Sequence, residues 1–156
     1  MMGQLSTFDL AAGSLAVRLY QTFYFVSLGL LSIISALVAQ SLGAEQPEIA
    51  RRVFQQGLIL SAGLGLCFMI PLLAGETILL YLGQSKEIAT HARNFLFWSA
   101  FGLPASLIFL SMRFFTTGHG ETRPQLIATF IGLGFNLCAN QILSLIHISE
   151  PTRRDP

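Results

Sequence analysis

"VFQQGLILSAGLGLCFMIPLLAG", residues 53–75, contains no aspartate, glutamate, lysine or arginine. It follows "GAEQPEIARR" (43–52) and leads into "GETILLYLGQSKEIATHAR" (75–93), where charge, glycine and proline collect. A helix rises about 1.5 Å per residue, so an uncharged run of roughly 20 residues matches the roughly 30 Å hydrocarbon core of a bilayer. The same pattern recurs along the chain. Leu19–Leu42 and Asn94–Met112 are charge-free, and so is the run from Pro124 towards the C-terminal tail; "RFFTTGHGETR" (113–123) separates the last two. In lipid, backbone groups must be satisfied within the segment, which selects helices for single apolar runs. The pattern predicts an all-α integral membrane protein with about four spanning helices, near 10–41, 51–75, 93–115 and 123–146.

Composition agrees. Of 156 residues, 53% are hydrophobic and 11% charged, with a mean hydropathy of +0.63. A soluble domain carries about 25% charged residues. The net charge of +1 provides no basic field for nucleic acid. Cys67 and Cys138 lie inside apolar runs without metal or redox spacing, and read as small packing residues. "GLGLC" and "GLGFN" contain G-x-G without the third glycine of a nucleotide loop. No nucleophile–base set or carboxylate pair falls in the spans, so an enzyme, a metal site or a bound cofactor is not expected. Glu76, beside Gly75, is the only acid near a span. His91 and His119 fall separately in polar connections and read as solvated.

Positive charge orients the helices. The 43–52 connection (Arg51, Arg52) and the 113–123 connection (Arg113, Arg123) share one side, and Lys86 and Arg93 mark the other. The first side is therefore expected to be cytoplasmic. The N-terminus then lies across the membrane, without the basic start and cleavage site of a signal peptide, which suggests a helix upstream.

Polar residues within the spans are the candidate functional positions. Ser14, Arg18, Gln21, Ser32 and Ser35 fall on one helical stripe, interrupted by Phe25 and Leu28. Small residues on such a stripe either pack between helices or, with Gln21, Ser32 and Ser35, line one wall of a water-filled cavity. Arg18 is placed to snorkel towards the nearer interface, the lesser alternative being a substrate or counter-ion role. Pro104 in "FGLPAS" (101–106) removes a backbone donor and is expected to kink its helix; Pro71 lies near the end of another. Trp98, Tyr24 and the phenylalanines read as lipid-facing or interfacial. Asn136 and Asn140 in "FNLCANQ" (135–141) share a helical face. Buried amides need partners: either another helix, or a cation that takes their carbonyl oxygens.

Four blocks then carry a family resemblance: "MMGQLSTFDLAAGSLA" (1–16), "LVAQSLGAEQPEIARRVFQQGL" (37–58), "GLPASLIFLSMRFFTTGHGETRP" (102–124) and "GFNLCAN" (134–140). In this order they resemble the multidrug and toxic compound extrusion (MATE) transporters. The resemblance implies a twelve-helix secondary antiporter in two six-helix lobes, exporting cationic or aromatic compounds in exchange for sodium or protons across the bacterial inner membrane. Residues 1–142 would be helices two to five of the N-terminal lobe, with Met1–Gly3 ending helix one. In the sodium-coupled, NorM-like branch, helix five carries an N-x-x-x-N or N-x-x-x-D pair at the N-lobe cation site. Asn136 and Asn140 match it, and the family's helix-one carboxylate would precede Met1. The other readings are a lipid-linked sugar flippase of the same superfamily and a small membrane scaffold or subunit without transport.

The end of the chain reads differently. "LSLIHISEPTR" (143–153) resembles a translated transposase sequencing adapter. Residues 143–156 are therefore expected to be non-native, His147 and Glu150 to have no site role, and the chain to be a piece of a longer transporter.

Overall fold

The computed structural model describes the backbone of residues 7–148 and the side chains of residues 11–142. The expectations for Met1–Gly3 and for the tail beyond Ile148 lie outside the described residues. Six helices occur in the described chain: α1 (Thr7–Leu31), α2 (Ile33–Gly43), α3 (Pro47–Leu73), α4 (Gly75–Tyr81), α5 (Lys86–Gly118) and α6 (Arg123–Ile148). Among the described residues there is no strand. Taken with their apolarity, these helices make the chain an all-helical membrane protein.

Three stretches are long and apolar enough to cross a membrane: Ala11–Gly43, Pro47–Leu73 and Lys86–Gly118. α6, with 26 residues, has the length. Its described part carries Gln125, Asn136, Asn140 and Gln141 and falls outside that group of three. Three details depart from the expected spans. The first is divided into α1 and α2 at Ser32, whose backbone keeps α-helical angles (φ −60°, ψ −24°). A seven-residue helix, α4, occupies part of the second connection. α5 starts at Lys86 instead of near 93, because the Ser85 side chain caps it by accepting from the Ile88 N–H.

The chain forms two compact units, residues 1–120 and 121–156. In the first, α3 runs antiparallel to α5. Moving along α3 through Gly57, Gly65 and the following Gly75, the neighbours on α5 are Ser111, Pro104 and Leu96 in descending order. α1 and α2 run parallel to α5 and antiparallel to α3: Tyr20 reaches Ser106, Phe23 meets Phe68 at 5.2 Å, Ile34 packs on Gly57 and Val38 on Gly118. The core between them is small and aliphatic, with Ala16, Leu31, Val38, Leu72, Leu103 and Leu107 fully enclosed. Backbones approach closely where glycine permits. A Cβ on Gly65 would stand 2.5 Å from the Pro104 Cα, and one on Gly118 would stand 2.8 Å from the Ser35 carbonyl oxygen. Such small-residue seams suit membrane helices, which associate through van der Waals packing more than by apolar burial.

The helix ends obey familiar rules. α2 ends in a Schellman motif, with Gln46 N–H donating to Ser41 O and Glu45 N–H to Leu42 O. α4 ends in the same way through Gln84 to Leu79 and Gly83 to Leu80. The left-handed position is glycine in the second case (Gly83, φ 81°) and glutamate in the first (Glu45, φ 57°).

The second unit is described by α6. Thr129 Oγ1 donates to the Gln125 carbonyl at 2.8 Å, and most of the residues described between 123 and 142 are exposed.

Candidate functional site

Asn136 and Asn140 lie one turn apart on α6, and the structure brings their amides together. Asn140 Nδ2 donates to Asn136 Oδ1 at 2.9 Å, with both residues exposed. The contact follows from i,i+4 geometry, which stacks side chains on one face. It engages the Asn136 oxygen through the Asn140 amide N–H. An oxygen-rich, uncharged pair of this kind can bond another helix or, if Asn140 Nδ2 turns aside, offer two carbonyl oxygens to a hard cation.

The α1 stripe turns away from the core of the first unit. Ser14, Arg18, Gln21, Phe25 and Ser32 are exposed, while Leu28 and Ser35 are half-buried. The core face of the same helix is carried by Ala12, Ala16, Ser27 and Leu31. The hydroxyls are spent locally: Ser14 Oγ donates to Ala11 O at 2.8 Å, Ser32 Oγ to Gly29 O at 2.7 Å and Ser35 Oγ to Ser32 O at 2.9 Å. Ser32 and Ser35 are thus joined, whereas Gln21 stands three turns back along the helix.

Pro104 lies inside a continuous α5. Its turn is held from two sides. Gly65 of α3 abuts its Cα, while Tyr20 OH of α1 reaches Ser106 Oγ at 3.5 Å and Ser106 Oγ donates to Gly102 O at 2.9 Å.

The sequence reading missed the seam that holds these positions. Gly57, Ser61 and Gly65 are all buried on α3, and their four-residue spacing in "QGLILSAGLGL" (56–66) was the available signal. Ser111 of α5 is fully buried opposite Gly57, and its Oγ has no hydrogen-bond partner. Glu76 was also underread. Its carboxylate accepts from Thr90 Oγ1 at 3.0 Å and lies 3.7 Å from Arg93 Nε, which ties α4 to the start of α5. The cysteines are a correction: Cys67 is exposed because it faces away from the packed side of α3, and Cys138 is exposed on α6, whose described residues are nearly all exposed, so neither fills a gap between helices here. His91 and His119 are exposed, and the His119 ring lies 4.4 Å from that of Phe115. Trp98 is 74% exposed, which fits an outward-facing residue.

Comparison with known proteins accounts for most of the chain. The MatE family model matches residues 1–142. Among similar proteins, the "Probable multidrug resistance protein NorM" of Pseudomonas putida is 33% identical over 143 residues, 92% of this chain and 31% of that protein. The "Multidrug resistance protein NorM" of Vibrio cholerae is 30% identical over 142 residues, with 91% and 31% covered. A "Probable multidrug resistance protein NorM" of Halalkalibacterium halodurans is 29% identical over 144 residues, with 92% and 31% covered. No solved structure matches. The chain spans about three tenths of the length of these relatives. With a family model matching nearly its whole length on an all-helical membrane scaffold, the chain belongs to the MatE family of multidrug and toxic compound extrusion transporters.

Proposed function

We propose that the chain is part of a bacterial inner-membrane antiporter that exports cationic or aromatic compounds in exchange for sodium or protons. It carries helices two to five of the N-terminal lobe and has no enzymatic role. The observation that carries this reading is the match of the family model across residues 1–142. The named relatives are multidrug resistance proteins, which supports drug export as the activity of the whole transporter. Alternating access needs two lobes moving about a midplane site, so this piece alone is inactive. Leu143–Pro156 is a non-native tail, and the rest of the same transporter is the partner the helices require.

Asn136 and Asn140 are the coupling-ion ligands in this reading. Amide oxygens bind a hard monovalent ion without adding charge to a low-dielectric site. Ion entry would replace the bond between the two amides with one contact from each carbonyl oxygen. Gln21, Ser32 and Ser35 line the lobe's polar side, in keeping with their position off the core face, and Pro104 bends α5.

Dye efflux by the full-length parent, with and without sodium, tests the proposal. Export that depends on a sodium or proton gradient is expected. Full-length protein that inserts and never exports dye would favour the scaffold reading, and movement of lipid-linked sugars would favour the flippase.

A further inference from the structure

We propose that α4 is a lipid-anchored helix, whose Leu80 and Tyr81 dip into the headgroup layer of the bilayer instead of facing bulk water. The connection between α3 and α5 is otherwise polar, with Glu76, Gln84, Ser85, Lys86 and Glu87 in a short length of chain. Within it α4 reads GETILLY. Its packed face is fixed at three points. Gly75 lies against the Leu96 side chain, Leu79 is buried, and Glu76 is held by Thr90 and Arg93. The outward face is therefore set as well. Leu80 is exposed there, and Tyr81 is 89% exposed, without a hydrogen-bond or ring partner among the described residues.

The outward face of α4 prolongs the exposed face of the span before it. Helical register carries across Ala74, whose N–H donates to Ile70 O at 3.2 Å and whose carbonyl accepts from Ile78 N–H at 3.1 Å. Leu66, Ile70, Leu73, Thr77 and Tyr81 then follow at steps of three or four residues along one helical side. All five are exposed, so an apolar stripe leaves the membrane core and ends on a tyrosine. The seam by which α3 packs on α5 is made of Gly57, Ser61 and Gly65, small residues that suit helix contact. The stripe has large side chains and no charge or amide, which suits lipid instead.

Depth agrees. The charge-free run ends at Gly75. At about 1.5 Å per residue, the Tyr81 Cα lies at most about 9 Å beyond it, and each headgroup layer is about 5–8 Å deep. Helix side chains lean towards their own N-terminus, which for α4 is the membrane side, so the ring tips back into that layer. Tyrosine suits the place, because its ring is apolar and its hydroxyl can reach water or phosphate. Gly83, at φ 81°, then turns the chain. Lys86 follows at the start of α5, where its ammonium is available to lipid phosphates.

Spin-label accessibility tests the anchor in the full-length parent, freed of its other cysteines and placed in liposomes. Labels go at Tyr81→Cys, at Ile70→Cys within the span and at Glu87→Cys on the first turn of α5, all exposed positions. Oxygen partitions into lipid, and a nickel chelate stays in water. The oxygen-to-nickel ratio at Tyr81→Cys is expected between the other two, and several-fold above that at Glu87→Cys. If Tyr81→Cys does not insert, Leu80→Cys reads the same surface. The readout is independent of what the transporter carries. A ratio equal to that at Glu87→Cys overturns the proposal in favour of water. Low access to both reagents overturns it in favour of cover by the rest of the transporter.

Discussion

Gly63 and Gly65 are two residues apart on one helix and carry opposite burdens. A methyl group on Gly65 would press on the Pro104 backbone at 2.5 Å, and backbone cannot step aside as a flexible side chain can. Gly65→Ala is therefore expected to destabilise the first unit by about 1–3 kcal/mol, the usual cost of overpacking. Gly63 has nothing within 4 Å of its Cβ position. Gly63→Ala should be neutral or stabilising by up to about 1 kcal/mol, because alanine is the better helix former. Reversible unfolding in mixed micelles would read both, and equal effects would refute the seam. The asparagines belong to the same scale. In the full-length parent, Asn136→Leu with Asn140→Leu should abolish cation-driven dye export while leaving insertion intact, since insertion follows apolarity. Normal export by the double variant would reduce the pair to helix–helix glue.

Element boundaries in this chain are set by chemistry that local residues supply. Two Schellman ends share one backbone geometry but not one residue: Gly83 adopts φ 81° at no steric cost, and Glu45 adopts φ 57° against its own Cβ. Glu45→Gly should accordingly raise stability by about 0.5 kcal/mol, and Gly83→Ala should lower it by about 1 kcal/mol. The same micelle unfolding midpoint measures both, and the opposite signs are the check. Polar hydroxyls act at this scale too. Ser85 starts α5 seven residues before the expected start near 93. The same residue type caps a helix where its oxygen accepts an N–H, as at Ser85, and sits inside one where its hydroxyl donates to a carbonyl, as at Ser41 and Ser61.

In the first unit, the antiparallel run of α3 against α5 sorts the helix ends. Phe54 and Phe115 pack at 4.3 Å, so the start of α3, with Arg51 and Arg52, lies beside the end of α5 near Arg113. Glu76, Thr90 and Arg93 meet at the opposite end. The positive charges that share a side in the sequence argument, as far as Arg113, therefore share a side in the packed unit. With the arginine-rich end cytoplasmic, Gln46→Cys should escape a membrane-impermeant maleimide added to intact cells, and Leu82→Cys should react. Both positions are exposed, so accessibility reports the side of the membrane. The reverse labelling pattern would invert the orientation.

Apolar run length, charge placement and family blocks were enough to determine helical class, membrane setting, family and three of the four expected spans, because each depends on local composition or on contiguous sequence. The i,i+4 meeting of Asn136 with Asn140 was legible for the same reason, since one helix brings the two amides together without help. Other features depended on partners distant in the chain. That Gly65 must be glycine follows from Pro104, 39 residues later by the numbering (104 − 65). That Cys67 faces outward and Ser111 inward follows from which faces of α3 and α5 meet. Glu76 acquires its role from Thr90 and Arg93 across a turn. In an apolar helix nearly every face is greasy enough to be buried, so the hydrophobic pattern does not say which face packs. Close fit between backbones makes that choice, and only the assembled helices contain it.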